Sequence, residues 1–75
     1  MRPESHGFIR TRNTLAIRLR ELRRQRGLSQ ERLADLAGCD RTYIGMLERK
    51  LGNPSLSVLG AIADALGVDI PRLLE

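Results

Sequence analysis

Cysteine and histidine are almost absent from this chain, which has one of each, Cys39 and His6. A disulfide within the chain is therefore impossible, and a Cys/His metal set is excluded. The composition suits a reducing compartment, and a cytoplasmic location is expected. No apolar run approaches the roughly 18 residues that a membrane span needs. The first residues, MRPESHGFIRTRN, lack the apolar stretch of a secretory signal. Lysine is nearly missing too, Lys50 being the only one among 13 basic residues. Arginine offers a planar fork for phosphate or guanine, where lysine offers only a point charge. The sequence shows no nucleophile paired with a base and no Gly-rich phosphate loop. No catalysis, cofactor or metal is expected.

With 75 residues there is room for one domain. A core this small leaves little stability to spare, and many chains of this size gain some by pairing with a second copy. The net charge is +4, but it is unevenly spread. Residues 1–29 carry eight arginines (2, 10, 12, 18, 20, 23, 24, 26) against Glu4 and Glu21, a balance of +6. Residues 30–50 balance to zero, and residues 51–75 carry Arg72 against Asp64, Asp69 and Glu75, a balance of −2. A basic front and an acidic rear suit one side that faces a polyanion.

Residues 1–12 are polar, contain Pro3 and Gly7, and show no apolar period. They read as a flexible tail ahead of a domain over 13–75. The first helix is expected from Asn13 or Thr14, either of which can cap it, to Arg26. Leu15, Leu19 and Leu22 fall on one face. Gly27 supplies a left-handed stop, and Leu28 can fold back onto the helix. Ser29 caps a second helix over Gln30–Ala37, and Gly38 ends it. Asp40 caps a third, over Arg41–Arg49. Residues 50–54, KLGNP, read as a loop. Ser55 caps a fourth helix over Leu56–Leu66, with Leu56, Leu59, Ile62, Ala63 and Leu66 facing inward. Asp69 caps a last short helix, Ile70–Leu74, with Pro71 in its first turn, where proline is tolerated. No strand is expected. The fold class is all-α, five short helices in one compact domain.

The organising stretch is Ser29–Leu47, SQERLADLAGCDRTYIGML. Leu33, Ala34, Ala37, Ile44 and Leu47 face inward and fix the angle between two short helices. The spacing is that of a helix-turn-helix. The outer face of the second of them keeps Arg41, Thr42, Tyr43 and Met46 for a partner. An exposed helix N-terminus at Gln30 offers free N–H groups to phosphate.

The segments LRELRRQRGLSQERLADLAG, YIGMLERK and NPSLSVLGAIADALGVDIPRLL carry a resemblance. Over residues 15–74 the chain resembles the Cro/C1-type, or XRE, helix-turn-helix family, whose fold is the five-helix lambda-repressor-like domain. DRTYI (Asp40–Ile44), followed by Glu48, Arg49 and NPSL, is similar to the small controller proteins of restriction–modification systems.

The resemblance implies a regulator that binds the major groove of double-stranded DNA. It implies a phosphate contact for Gln30, and base reading by Arg41, Thr42 and Met46. Arg41 can grip guanine O6 and N7, worth about 1–3 kcal/mol of discrimination. Tyr43, Arg49, Lys50 and the backbone around Asn53 suit phosphate contacts, which set register. Arg23 and Glu48 match a salt-bridged pair that ties the first helix to the third. Two positions depart from the pattern. The family commonly has Gly where Lys50 stands, so Lys50 either takes a left-handed conformation or lets the helix run on to Gly52. The controller proteins often have Gly near Met46.

One recognition helix reads few base pairs, so a homodimer on a palindromic operator is expected. Candidates for its interface are Val58, Ile62, Leu66, Val68, Ile70 and Leu73, some of which the core also needs. Autoregulation follows from the controller resemblance. RNA polymerase is a further candidate partner, through acidic residues. No membrane partner is expected, and with no ligand-sensing domain, no small-molecule effector. The competing reading is a protein-interaction module of antitoxin type on the same fold.

Overall fold

A computed structural model describes residues 4–75. It contains five helices in order: α1 (His6–Gln25), α2 (Gln30–Ala37), α3 (Arg41–Glu48), α4 (Leu56–Leu66) and α5 (Ile70–Leu74). Among the described residues there is no strand. α1 packs on α3 and α5, α2 packs on α3 and α4, and α4 meets α5.

The core is aliphatic. Leu15, Leu19 and Leu22 of α1 meet Leu33 and Ala34 of α2, Ile44 and Leu47 of α3, Leu59, Ile62, Ala63 and Leu66 of α4, and Leu73 of α5. Their burial is the main stabilising term, at about 25 cal/mol per Å² of apolar surface removed from water.

Local signals place α2 to α5 where the sequence predicts them. The Ser29 hydroxyl accepts from the Arg32 N–H at 2.9 Å, and the Ser55 hydroxyl from the Val58 N–H at 3.2 Å. Each satisfies an N–H that the helix itself leaves open. Asp40 and Asp69 stand at the expected cap positions, but their side chains make no capping bond. Leu28 does fold back, its N–H donating to the Arg23 carbonyl at 3.1 Å.

Two further expectations fail. The expected tail, residues 1–12, is helical from His6, and Asn13 and Thr14 lie inside α1 rather than capping it. The cap is Ser5, whose hydroxyl accepts from the Phe8 N–H at 3.0 Å. Thr14 turns its hydroxyl back to the Arg10 carbonyl at 3.1 Å. Arg12 reaches Glu4 at 3.3 Å and lies 5.0 Å from the centroid of the Phe8 ring. These contacts give the early turns an order that apolar periodicity does not announce. Arg2 lies outside the described residues. The second failure is Leu56, expected inside but 74% exposed. It is the first residue of α4 and takes no part in the core cluster.

Candidate nucleic-acid interface

The turn between α2 and α3 is built by Gly38, at φ +72°. Left-handed backbone of this kind costs a residue with a Cβ about 1–2 kcal/mol, and glycine nothing. The Cys39 N–H then closes the turn onto the Ala34 carbonyl at 3.0 Å. Burial, together with the Asp40 charge, pushes the Cys39 thiol up. At neutral pH it is a protonated turn residue rather than a reactive thiolate.

α3 is anchored by Ile44, Gly45, Leu47 and Glu48, all buried. Arg41 and Thr42 are exposed on the opposite side. Tyr43 is half-buried and packs its ring against the core. Met46 is also half-buried, and its Cε lies 3.7 Å from where a Cβ on Gly52 would stand. Its side chain therefore leans on the α3–α4 loop. Arg49, Lys50 and Asn53 are exposed. Arg49 donates from Nε to the Gly45 carbonyl at 3.3 Å.

Of the two conformations open to Lys50, the chain takes the left-handed one. The helix ends at Glu48, Lys50 stands at φ +64°, and Gly52 at φ +83°. The Lys50 N–H reaches the Leu47 carbonyl at 3.1 Å, and the Leu51 N–H the Met46 carbonyl at 3.0 Å. Those bonds satisfy carbonyls at the end of α3 and hold a lysine in backbone that favours glycine.

One carboxylate joins three helices. Glu48 has a side chain only 1% exposed. Arg23 of α1 donates to it twice, Nε to Oε2 at 2.7 Å and NH2 to Oε1 at 3.0 Å. Gln30 of α2 donates from Nε2 to Oε1 at 3.2 Å. Arg20 adds a second cation at 3.5 Å. Burial alone would push the Glu48 carboxyl up; the hydrogen bonds from Arg23 and Gln30 and the two arginine charges outweigh it, so the group sits below its ordinary value. The same bond, opposed by burial, raises Arg23 further.

Gln30 extends this cluster to the surface. Its Oε1 accepts from the Arg41 guanidinium at 3.3 Å. The structure thus assembles Arg23, Gln30, Arg41 and Glu48 into one network across three helices. Thr42, Tyr43, Met46, Arg49, Lys50 and Asn53 flank it without joining it. Sequence reasoning did not foresee Arg20 at Glu48, although its position three residues before Arg23 on one helix face carried the signal. Arg18 lies elsewhere, beside α5, with its Nε donating to the Glu75 backbone oxygen at 3.2 Å.

The expected dimer residues divide. Ile62, Leu66 and Leu73 are at most 2% exposed. The core of a single chain consumes them, so they cannot form an interface. Val58, Val68 and Ile70 remain partly exposed. No group of His, Cys, Asp and Glu able to hold a metal ion occurs among the described residues. No helix among them is long and apolar enough to cross a membrane.

Comparison with known proteins agrees with this architecture. The helix-turn-helix family HTH_3 matches residues 19–73. The control protein C.SmaI of Serratia marcescens is 45% identical over 67 residues, covering 89% of this chain and 80% of that protein. The crystal structure of the restriction-modification controller protein C.AhdI from Aeromonas hydrophila matches with a TM-score of 0.80 at 45% identity, over 83% of this chain and 94% of that one. The structure of SinR, a master regulator for biofilm formation, in complex with DNA matches with a TM-score of 0.78 at 32% identity, over 81% of this chain and 98% of that one. From its Ser29–Leu47 motif, its five-helix fold and these likenesses, the chain belongs to the helix-turn-helix family of Cro/C1, or XRE, type, and resembles the restriction–modification controller proteins within it.

Proposed function

We propose that this chain is a sequence-specific regulator of transcription that binds operator DNA as a homodimer and controls its own gene. The observation that carries the reading is the network running from Arg23 through Glu48 and Gln30 to Arg41. It ties the end of α3 to α1 and α2 through Glu48, ties its start to α2 through Arg41, and presents a guanidinium at an exposed helix end. A guanidinium so placed can donate both its bonds to guanine in the major groove. Thr42 beside it, and Met46 one turn on, complete the base-facing set. Gln30, Tyr43, Arg49, Lys50 and Asn53 supply the phosphate contacts that fix register.

Homodimerisation would place two such faces about 34 Å apart on a palindromic site. Val58, Val68 and Ile70 are the interface residues that remain available once the core is filled. Leu51 and Leu56, 46% and 74% exposed, add apolar surface. Autoregulation rests on the likeness to control proteins.

A fluorescence titration tests the reading. The duplex lying directly upstream of the gene should bind more tightly than the same duplex shuffled. Arg41→Ala should remove about 1–3 kcal/mol of that preference. Equal affinity for both duplexes, unchanged by Arg41→Ala, would overturn it.

A further inference from the structure

We infer that Arg12, outside the family-matched residues 19–73, is a positioning residue for the α3–α4 loop and couples the start of α1 to DNA binding. The inference rests on the DNA-binding reading above. Arg12 is 40 residues from Gly52 in sequence, yet its NH1 donates to the Gly52 carbonyl at 3.5 Å. The same nitrogen pairs with Glu4 at 3.3 Å, and the guanidinium lies 5.0 Å from the centre of the Phe8 ring. Its side chain is only 17% exposed. With Phe8, Leu15, Asn53, Pro54 and Leu59 it also lines a cavity of about 130 Å³ beneath the loop.

A guanidinium this deeply covered loses hydration that its protein contacts must replace. Its Nε–H is buried and has no acceptor among the described residues. What Arg12 touches is the least regular part of the fold. Lys50 and Gly52 both hold positive φ, with exposed Asn53 directly after them. The loop is therefore held at its Gly52 carbonyl by Arg12, between Lys50 and Asn53, two of the residues assigned above to phosphate. Fixing that turn before DNA arrives removes part of the ordering cost of binding. Arg12 need not touch DNA for this.

The test uses the full chain and a random-sequence 30-base-pair duplex at low salt, because phosphate contacts are independent of sequence. Arg12→Met keeps the stem packed against Phe8 and removes the donors. Arg10→Ala removes an exposed charge from the same helix without touching the loop. Arg12→Met should weaken binding about three- to tenfold, the effect of one hydrogen bond. The slope of log K against log salt should change by much less than the roughly one unit that loss of a direct phosphate contact gives, because Arg12 itself neutralises no phosphate. Arg10→Ala should weaken binding distinctly less. In the wild type, the Arg12 Nε–H resonance should shift on DNA addition together with the Gly52 and Asn53 amides. A well-folded Arg12→Met that binds like Arg10→Ala overturns the coupling, as does an Arg12 resonance that stays still while the two amides move. Wild-type protein that binds no duplex at all overturns the DNA-binding reading and this inference with it.

Discussion

Arg23 closes on Glu48 with two hydrogen bonds, at 2.7 and 3.0 Å, across the boundary between α1 and α3. The carboxylate is buried and the guanidinium nearly so. Removing one partner from such a pair leaves the other uncompensated, at about 3–5 kcal/mol. Arg20 and Gln30 stay with Glu48 when Arg23 is lost, so Arg23→Ala should fall at the low end, near 3 kcal/mol. Urea unfolding checks this. A change within about 0.5 kcal/mol, the range of ordinary surface substitutions, would show that the pair is not coupled to folding.

The same pair predicts a pH dependence. The Glu48 carboxyl is lowered in the folded state from an ordinary value of 4.5. A lowered carboxyl stabilises the fold fully above its unfolded value, and the contribution is lost as pH falls through the folded one. Wild type should therefore lose stability below about pH 4.5 faster than Glu48→Gln, which has no such proton to take up. Unfolding free energies measured from pH 7 down to pH 2 give the comparison. Parallel curves for the two proteins would contradict the assignment.

Lys50 lies at φ +64°, so Lys50→Gly should move stability and binding in opposite directions. Relief of the left-handed strain, less the extra chain entropy of glycine, should add about 0.5–1 kcal/mol. Loss of an exposed charge beside the loop proposed to face phosphate should weaken DNA binding and lower its salt slope by about one. Thermal melting and a salt titration report the two separately.

Ile62 and Leu56 separate the core from the surface of α4. Ile62 is fully buried, and Ile62→Ala should cost about 2–4 kcal/mol through lost burial and the cavity left behind. Leu56→Ser should change the unfolding free energy by no more than about 0.5 kcal/mol. If Leu56 helps join two copies, sedimentation should show weaker self-association for that variant alone. Unchanged association would remove Leu56 from the interface.

What the sequence made legible follows from where the information lies. Ser29, Gly38, Ser55 and Gly67 act on their immediate neighbours, so the ends of α2 and α4 can be read one turn at a time. Arg23 and Glu48 were readable as a pair only through family resemblance, since 25 residues separate them. The early turns of α1 were missed although Ser5 caps them by the same local bond that Ser29 and Ser55 make. The contacts of Arg12 with Glu4, Phe8 and the distant Gly52 carbonyl were not legible, because no periodic pattern encodes them. Leu56 and Ile62 expose a second limit. Both fit the apolar stripe of one helix, but a stripe does not say where the facing elements stop. The same ambiguity assigned Ile62, Leu66 and Leu73 to an interface that the core had already claimed.

Gln30 has chemically distinct ends, and its two neighbours leave it one orientation. The Glu48 carboxylate can only accept, and the Arg41 guanidinium can only donate. The amide nitrogen must therefore turn inward and the amide oxygen toward Arg41, as they do. The nitrogen retains one further N–H beyond the one given to Glu48. A buried negative charge thus dictates the polarity of an amide at the rim of the proposed recognition surface. Replacing Glu48 with a donor would leave that donor and Arg41 competing for the one amide oxygen, while leaving every surface residue in place.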